Sequence, residues 1–386
     1  MTGNEAIRGR ALDFAGYCLS AAAVGLVAGS LEPTQGDLAA NAGASFDAIS
    51  NLLIAYMLGY LAGASLFGHL YDHLPGHRLI VAAAFVAAVA LALAPLAGSL
   101  WPLVSLLLIL GLVLAGMQIG AYTLALWQYS VRAGPYVNGL HFCFGLGVFA
   151  APPVLAMMGS VTATYWALAL FVLPAALWLL TRPSPPVPAP AQAGSPLTRA
   201  QLRLAVLGFV FLLLYVGGET GFSNWIYSYS VALRLTDKIS AAYLNAAFLG
   251  MLALGRLLSI PLSARLRPGT VLALDLAGSV LGAGLVLLAN GPVMVWAGTL
   301  LLGLAMASIF PMVLAFAAQQ TVLTARLTGL FFMGGSLGAI LLPRLIGALH
   351  DPLGPRVAPV VILAAVLGQV GAYLALRAGW QRMGSG

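Results

Sequence analysis

Two carboxylates stand inside apolar runs of the sequence, Glu32 in VAGSLEPTQGDL and Glu219 in YVGGETGFSNW. An ionisable side chain in hydrocarbon costs at least about 2.5 to 3.5 kcal/mol, so each is expected to face a polar cavity. In a dry cavity desolvation favours the neutral acid, whereas a nearby cation or entering water favours the anion. A carboxylate placed there can load and release a cation, and this makes Glu32 and Glu219 the candidate ion-coupling groups. Pro33 follows Glu32 and has no N–H to donate, which predicts a helix broken beside that acid. Asp37 falls nearer the outer surface, and Asp275 reads as an anchor at the cytoplasmic end of its run.

A second group could hold an uncharged, hydroxylated ligand. Gln118, Tyr122, Asn138 and His141 supply amide, phenol and imidazole groups, which both donate and accept as such a ligand requires. Asn138 and His141, three residues apart, share a helical face. After Glu219 come Asn224 and Trp225, an amide suited to hydroxyls and a ring suited to the apolar face of a sugar. Tyr227 and Tyr229 fit an interfacial aromatic belt, with Trp101, Trp296 and Trp380 as further belt or surface residues. No catalytic chemistry is visible: there is no P-loop, no H-E-x-x-H and no G-x-S-x-G, and the five histidines are not spaced for a metal. Cys18 and Cys143 lie in apolar runs and indicate neither a disulfide framework nor a thiolate site. Neither a metal nor a cofactor is expected. Energy must come from an ion gradient, a substrate gradient or a separate subunit.

The elements that must carry these groups follow from composition. Of 386 residues 61% are hydrophobic and 7% charged, with a mean hydropathy of +0.99. Soluble domains carry about 25% charged residues, so the chain is expected to live in a membrane. A helix needs about 20 apolar residues to cross the hydrocarbon core. Twelve such runs are found, at 12–40, 46–70, 78–98, 101–128, 138–159, 162–181, 202–232, 239–264, 269–290, 292–319, 326–349 and 357–378. The first runs too far, without an A-x-A-like site, to be a secretory signal peptide.

Placing both termini in the cytoplasm puts 13 of the 17 basic residues on that side, Arg256 among them. This obeys the positive-inside rule and predicts a multi-pass membrane protein with both termini in the cytoplasm. The net charge of +7 then reflects short turns meeting anionic lipid, and no nucleic acid is needed to explain it. Residues 182–200 are proline-rich and cannot span, so they read as a cytoplasmic linker between six-helix bundles at 1–181 and 201–386. The halves repeat: Gly139 corresponds to Gly329, Pro152 to Pro343, and the turn at Pro75 to that at Pro268. The expected fold is an all-α polytopic membrane protein, twelve transmembrane helices in two pseudo-symmetric bundles with a site between them near the midplane.

The turn GHLYDHLPGHR, carrying Gly68, Asp72, Gly76 and Arg78, resembles the loop signature of the major facilitator superfamily. It departs from that pattern at His73, where a basic residue is usual, and by one extra residue between Asp72 and Gly76. YVGGET, SIFPMVLAF and VNGLHFCFGLG are similar to motifs in spans 7, 10 and 5 of the bacterial fucose permease and sodium-dependent glucose transporter-like group. The resemblance implies that Asp72 and Arg78 gate, with Asp72 near a helix N-terminus or an Arg. It implies that Glu32 holds the place of a span 1 acid and His141 that of a sugar-contacting amide. Gln118 falls where that group has its proton-coupling acid and Tyr122 where it has an Asn, so both the coupling and the sugar are expected to differ.

Together these readings describe a monomeric secondary transporter that moves a hexose or similar polyol by proton or sodium symport. Proton-driven efflux of an amphipathic compound and a non-transporting membrane sensor are the alternatives.

Overall fold

The computed structural model describes residues 3–44, 49–188 and 198–383, with the side chains of 3–7, 49–51 and 379–383 left aside. It is 88% helical, with no strand among the described residues. Among the described residues twelve helices are long and apolar enough to cross a membrane, here spans 1 to 12. They are Arg8–Asn41, Leu52–Leu70, Gly76–Leu96, Leu100–Arg132, Gly134–Met158, Val161–Leu180, Arg199–Ala232, Lys238–Arg265, Pro268–Leu287, Pro292–Gln320, Ala325–Leu353 and Val357–Ala378. Each matches one of the twelve apolar runs, because backbone polar groups in lipid must be satisfied within the segment and an apolar stretch of that length has no alternative to a helix.

Local chemistry sets the ends. Ser160 caps span 6 by accepting from Ala163 N at 3.2 Å. Thr198 and Gln201 form a reciprocal capping box at span 7, and Asp237 accepts from Ile239 N and Ser240 N at span 8. Gly159 closes span 5 in the left-handed region (φ 68°).

The chain falls into two compact units. The first is Met1–Gly194 with Val322–Gly329, and the second is Ser195–Thr321 with Leu330–Gly386. In the first, spans 1 and 5, 2 and 4, and 3 and 6 are packed pairs. The second unit repeats that scheme, with 8 against 10 and 9 against 12, and spans 7 and 11 in close apposition through glycine. Small residues let helix backbones approach where lipid supplies no hydrophobic drive for association. A Cβ at Gly147 would overlap the carbonyl of Ala22, and one at Gly338 would overlap that of Leu213, so equivalent pairs use the same device. Gly338→Ala is therefore expected to cost about 1 to 3 kcal/mol by forcing spans 7 and 11 apart. Gly371→Ala, where nothing lies within 4 Å, is the control; equal melting temperatures for the two variants would remove this account of the pairing.

Two local expectations are corrected. Span 1 continues through Pro33 to Asn41 instead of breaking. Backbone-directed hydroxyls accompany the proline, Thr34 Oγ1 donating to Ser30 O at 2.6 Å and Ser30 Oγ to Leu26 O at 2.8 Å. The discontinuity lies in span 10, read from sequence as one run, where helices Pro292–Met306 and Ile309–Gln320 are separated by Ala307 and Ser308.

The first residues of the linker are tied to the first unit. His77 N donates to Ser184 Oγ at 2.6 Å, and Arg182 pairs with Asp13 and donates to Gly9 O. Residues 189–197 of the linker lie outside the described residues, as does the Trp380 side chain.

Candidate functional site

In the first unit, the candidate binding residues of spans 4 and 5 are buried. Tyr122 and Asn138 are inaccessible, and Gln118 and His141 nearly so. Tyr122 Oη and His141 Nδ1 share a hydrogen bond of 2.8 Å that joins the two spans. Gln118 lies one turn before Tyr122, and Asn138 one turn before His141, so the four residues occupy adjoining turns. The Gln118 carbonyl oxygen has no hydrogen-bond partner among the described residues. A buried amide oxygen without a donor costs about 1 to 3 kcal/mol, which a ligand hydroxyl can recover.

In the second unit, Asn224 and Trp225 line a cavity of about 340 Å³ with Ser228, Pro343 and Arg344. The Trp225 ring is stacked on His350, centroids 5.1 Å apart and planes inclined by 28°. That stacking supplies a partner the sequence did not reveal. Ser223 Oγ donates to Asn245 Oδ1 at 2.7 Å beside the cavity residues. Tyr229 corrects the belt reading: it is buried and donates to Val286 O at 2.7 Å, whereas Tyr227 is exposed.

The two carboxylates sit differently. Glu32 is exposed on span 1. Glu219 is largely buried and pairs with Arg256 Nη2 at 3.4 Å. Arg256, counted from sequence among the cytoplasmic cations, lies inside span 8 and is 9% exposed. Tyr215, one turn before Glu219, donates to the carbonyl of Met306 at the break in span 10 and interacts with both Glu219 and Arg256. Asp275 is also corrected, since it accepts a hydrogen bond from Ser308 across two spans instead of anchoring a helix end. Sequence reasoning missed Arg256 and Ser308 because each acquires its role only through a partner on another span.

Asp72 follows span 2. Its carboxylate accepts from Ala325 N at 2.7 Å and Arg326 N at 3.0 Å, the first turn of span 11. Of the two partners left open by the sequence, the structure shows the helix N-terminus. Burial raises the Asp72 carboxyl above its ordinary value, opposed by these two backbone donors and by His73 and His69. Arg78 is exposed and lines a cavity of about 670 Å³ with His73, His77, Arg182 and residues 183–187.

Twelve spans in two repeated units, with polar and paired charged groups inside them, define a polytopic transporter fold. The Major Facilitator Superfamily model matches residues 14–343, and the chain belongs to that superfamily. It is similar to the sodium-dependent glucose transporter 1 of Danio rerio, 27% identical over 376 residues, which take in 86% of this chain and 63% of that protein. The chain thus spans less than two thirds of that relative's length. The sodium-dependent glucose transporter 1A of Mus musculus is 27% identical over 390 residues, 89% of this chain and 90% of that one. Among solved structures, FucP, a Major Facilitator Superfamily transporter crystallised in the outward conformation, superposes with a TM-score of 0.79 at 16% identity, covering 96% of this chain and 98% of that one. At that identity the likeness concerns the fold.

Proposed function

We propose that the chain is a secondary active transporter that carries a hexose or similar small polyol across a bacterial inner membrane by cation symport and alternating access, as a monomer with both termini cytoplasmic. The observation that carries the substrate class is the buried, hydrogen-bonded Tyr122–His141 pair with Gln118 and Asn138 one turn away. A hydrophobic cargo has no use for four polar side chains inside the hydrocarbon zone, whereas a polyol can exchange each water hydrogen bond for one with an amide, phenol or imidazole. The names of the Danio rerio and Mus musculus relatives support the sugar class and an ion requirement. The basic residues of the turns support the orientation. Glu219, with Glu32, is the proposed coupling carboxylate, and Asp72 with Arg78 the proposed gate.

Counterflow across a panel of sugars, in proteoliposomes of the purified protein, tests this reading directly; no counterflow with any hexose or polyol would sink it. Gln118→Ala and Asn224→Ala are expected to weaken binding of the sugar so identified by about 0.5 to 1.5 kcal/mol, roughly two- to twelve-fold, while leaving the protein folded. His141→Ala should weaken binding and also lower stability, because it removes the partner of the Tyr122 hydroxyl. Wild-type affinity in all three variants would remove these residues from the binding assignment.

A further inference from the structure

Asp275 is the one ionisable residue in the sequence from Pro268 to Gln320, two whole spans. It lies seven residues into span 9, about 10 Å along the helix at 1.5 Å per residue. A carboxylate this deep must be neutralised, and no salt bridge to it occurs among the described residues. What surrounds it is oxygen. Ser308 Oγ donates to Asp275 Oδ2, which leaves the hydroxyl oxygen able to accept. Ser308 stands at the start of the second half of span 10 but makes no capping bond, because its hydroxyl is turned to Asp275. Pro311 has no N–H for the carbonyl of Ala307, four residues before it, so the break releases an acceptor beside Ser308. Ser279, one turn from Asp275 on span 9, is inaccessible, and its hydroxyl has no partner among the described residues. Gly278 faces Ala305 and Gly282 faces Leu302, so this face of span 9 runs against the end of the first half of span 10.

We propose that Asp275, Ser279, Ser308 and the released carbonyl of Ala307 form an intramembrane sodium site. A carboxylate, two hydroxyls and a carbonyl at the end of a broken helix are hard oxygen donors suited to a small monovalent cation. The charged and titratable groups on neighbouring elements are few. Tyr215 reaches the break through the Met306 carbonyl, and Glu219 and Arg256 adjoin Tyr215 and pair with one another. Tyr373 on span 12 donates to Gly269 O, in the first turn of span 9. Span 10 carries no charged residue. Gly255 of span 8 lies against Ala307, so the break and the neighbouring Arg256 share one packing contact, a route from bound sodium to the Glu219 pair.

The inference names the cation of the proposed symport, but its test needs no sugar. Thermal unfolding of the full-length protein in lipid nanodiscs is followed in sodium chloride and in choline chloride at constant ionic strength and pH. The wild type is expected to gain stability saturably with sodium. Ser279→Ala should raise the sodium midpoint at least tenfold with the melting temperature in choline unchanged, and Asp275→Asn should abolish the response. Identical wild-type curves in the two salts, or a full sodium response in Ser279→Ala and Asp275→Asn, would each overturn the site. Should Asp275→Asn not fold, the Ser279→Ala midpoint decides. Sugar counterflow that persists with no sodium response would sink this site and leave the transport reading standing.

Discussion

Arg256→Met is expected to abolish cation-driven accumulation and to lower stability by about 3 kcal/mol, the low end for stranding one member of a buried ion pair. The low end applies because Glu219 keeps 20% of its side chain exposed and Arg256 10%, so neither charge is wholly removed from polar surroundings. Glu219→Gln should be as damaging to accumulation, since it strands the guanidinium instead. Combining the two substitutions removes both charges and should restore the melting temperature without restoring accumulation, which separates a structural pair from a coupling pair. Substrate exchange, which need not release the coupled cation, is expected to survive in Glu219→Gln. Glu32→Gln should have the smaller effect, because Glu32 is exposed and no partner is paired with it among the described salt bridges. The measurements are melting temperature and accumulation driven by imposed proton or sodium gradients. Wild-type accumulation in Arg256→Met would show the pair to be ornamental.

The second large effect is expected at Asp72. Span 11 begins with backbone N–H groups that have no helical partner, and two of them, at Ala325 and Arg326, are met by this one carboxylate. Its negative charge also opposes the positive end of the helix dipole. Two further contacts hold the same turn. Trp127 Nε1 donates to Leu323 O at 2.8 Å, and a Cβ at Gly329 would overlap the carbonyl of Ala64. Asp72→Asn keeps the shape but loses the charge and one acceptor, for which loss of a helix cap suggests about 1 to 2 kcal/mol. That energy moves a two-state equilibrium by roughly five- to thirty-fold. The readout is the labelling rate of a single cysteine, Gly291→Cys in the turn before span 10, in a Cys18→Ala, Cys143→Ala background. A changed rate with the fold intact is the expected result, and identical labelling with and without Asp72→Asn would count against a gating contact.

Much of this molecule is legible in one dimension. The twelve spans, the repeat with Gly139 matching Gly329 and the proline-rich division after Thr181 are all local patterns, because the bilayer demands a long apolar helix wherever the chain crosses it. The grouping of Tyr122 with His141 was accessible for the same reason: both lie in spans 4 and 5, joined by a short turn, and their hydrogen bond follows from two neighbouring helices. The Asp72 contact was half accessible, since an acid after span 2 needs a donor but could find it in a helix end or in an Arg.

The remaining features depend on which faces of distant helices meet. Glu219 and Arg256 are 37 residues apart, and Asp275 and Ser308 are 33 apart. In spans 7 to 10 the helical hydrophobic periodicity is too weak to say which side turns inward, because lipid and protein interior are both apolar. Pro33 and Pro311 make the same point. Each removes one N–H, yet span 1 runs on as a single helix whereas span 10 opens at Ala307 and Ser308, with Tyr215 and Asp275 from other spans meeting the groups at the opening. Whether a proline breaks a helix depends on whether tertiary partners are at hand to satisfy the freed polar groups, and only the packing of the spans decides that.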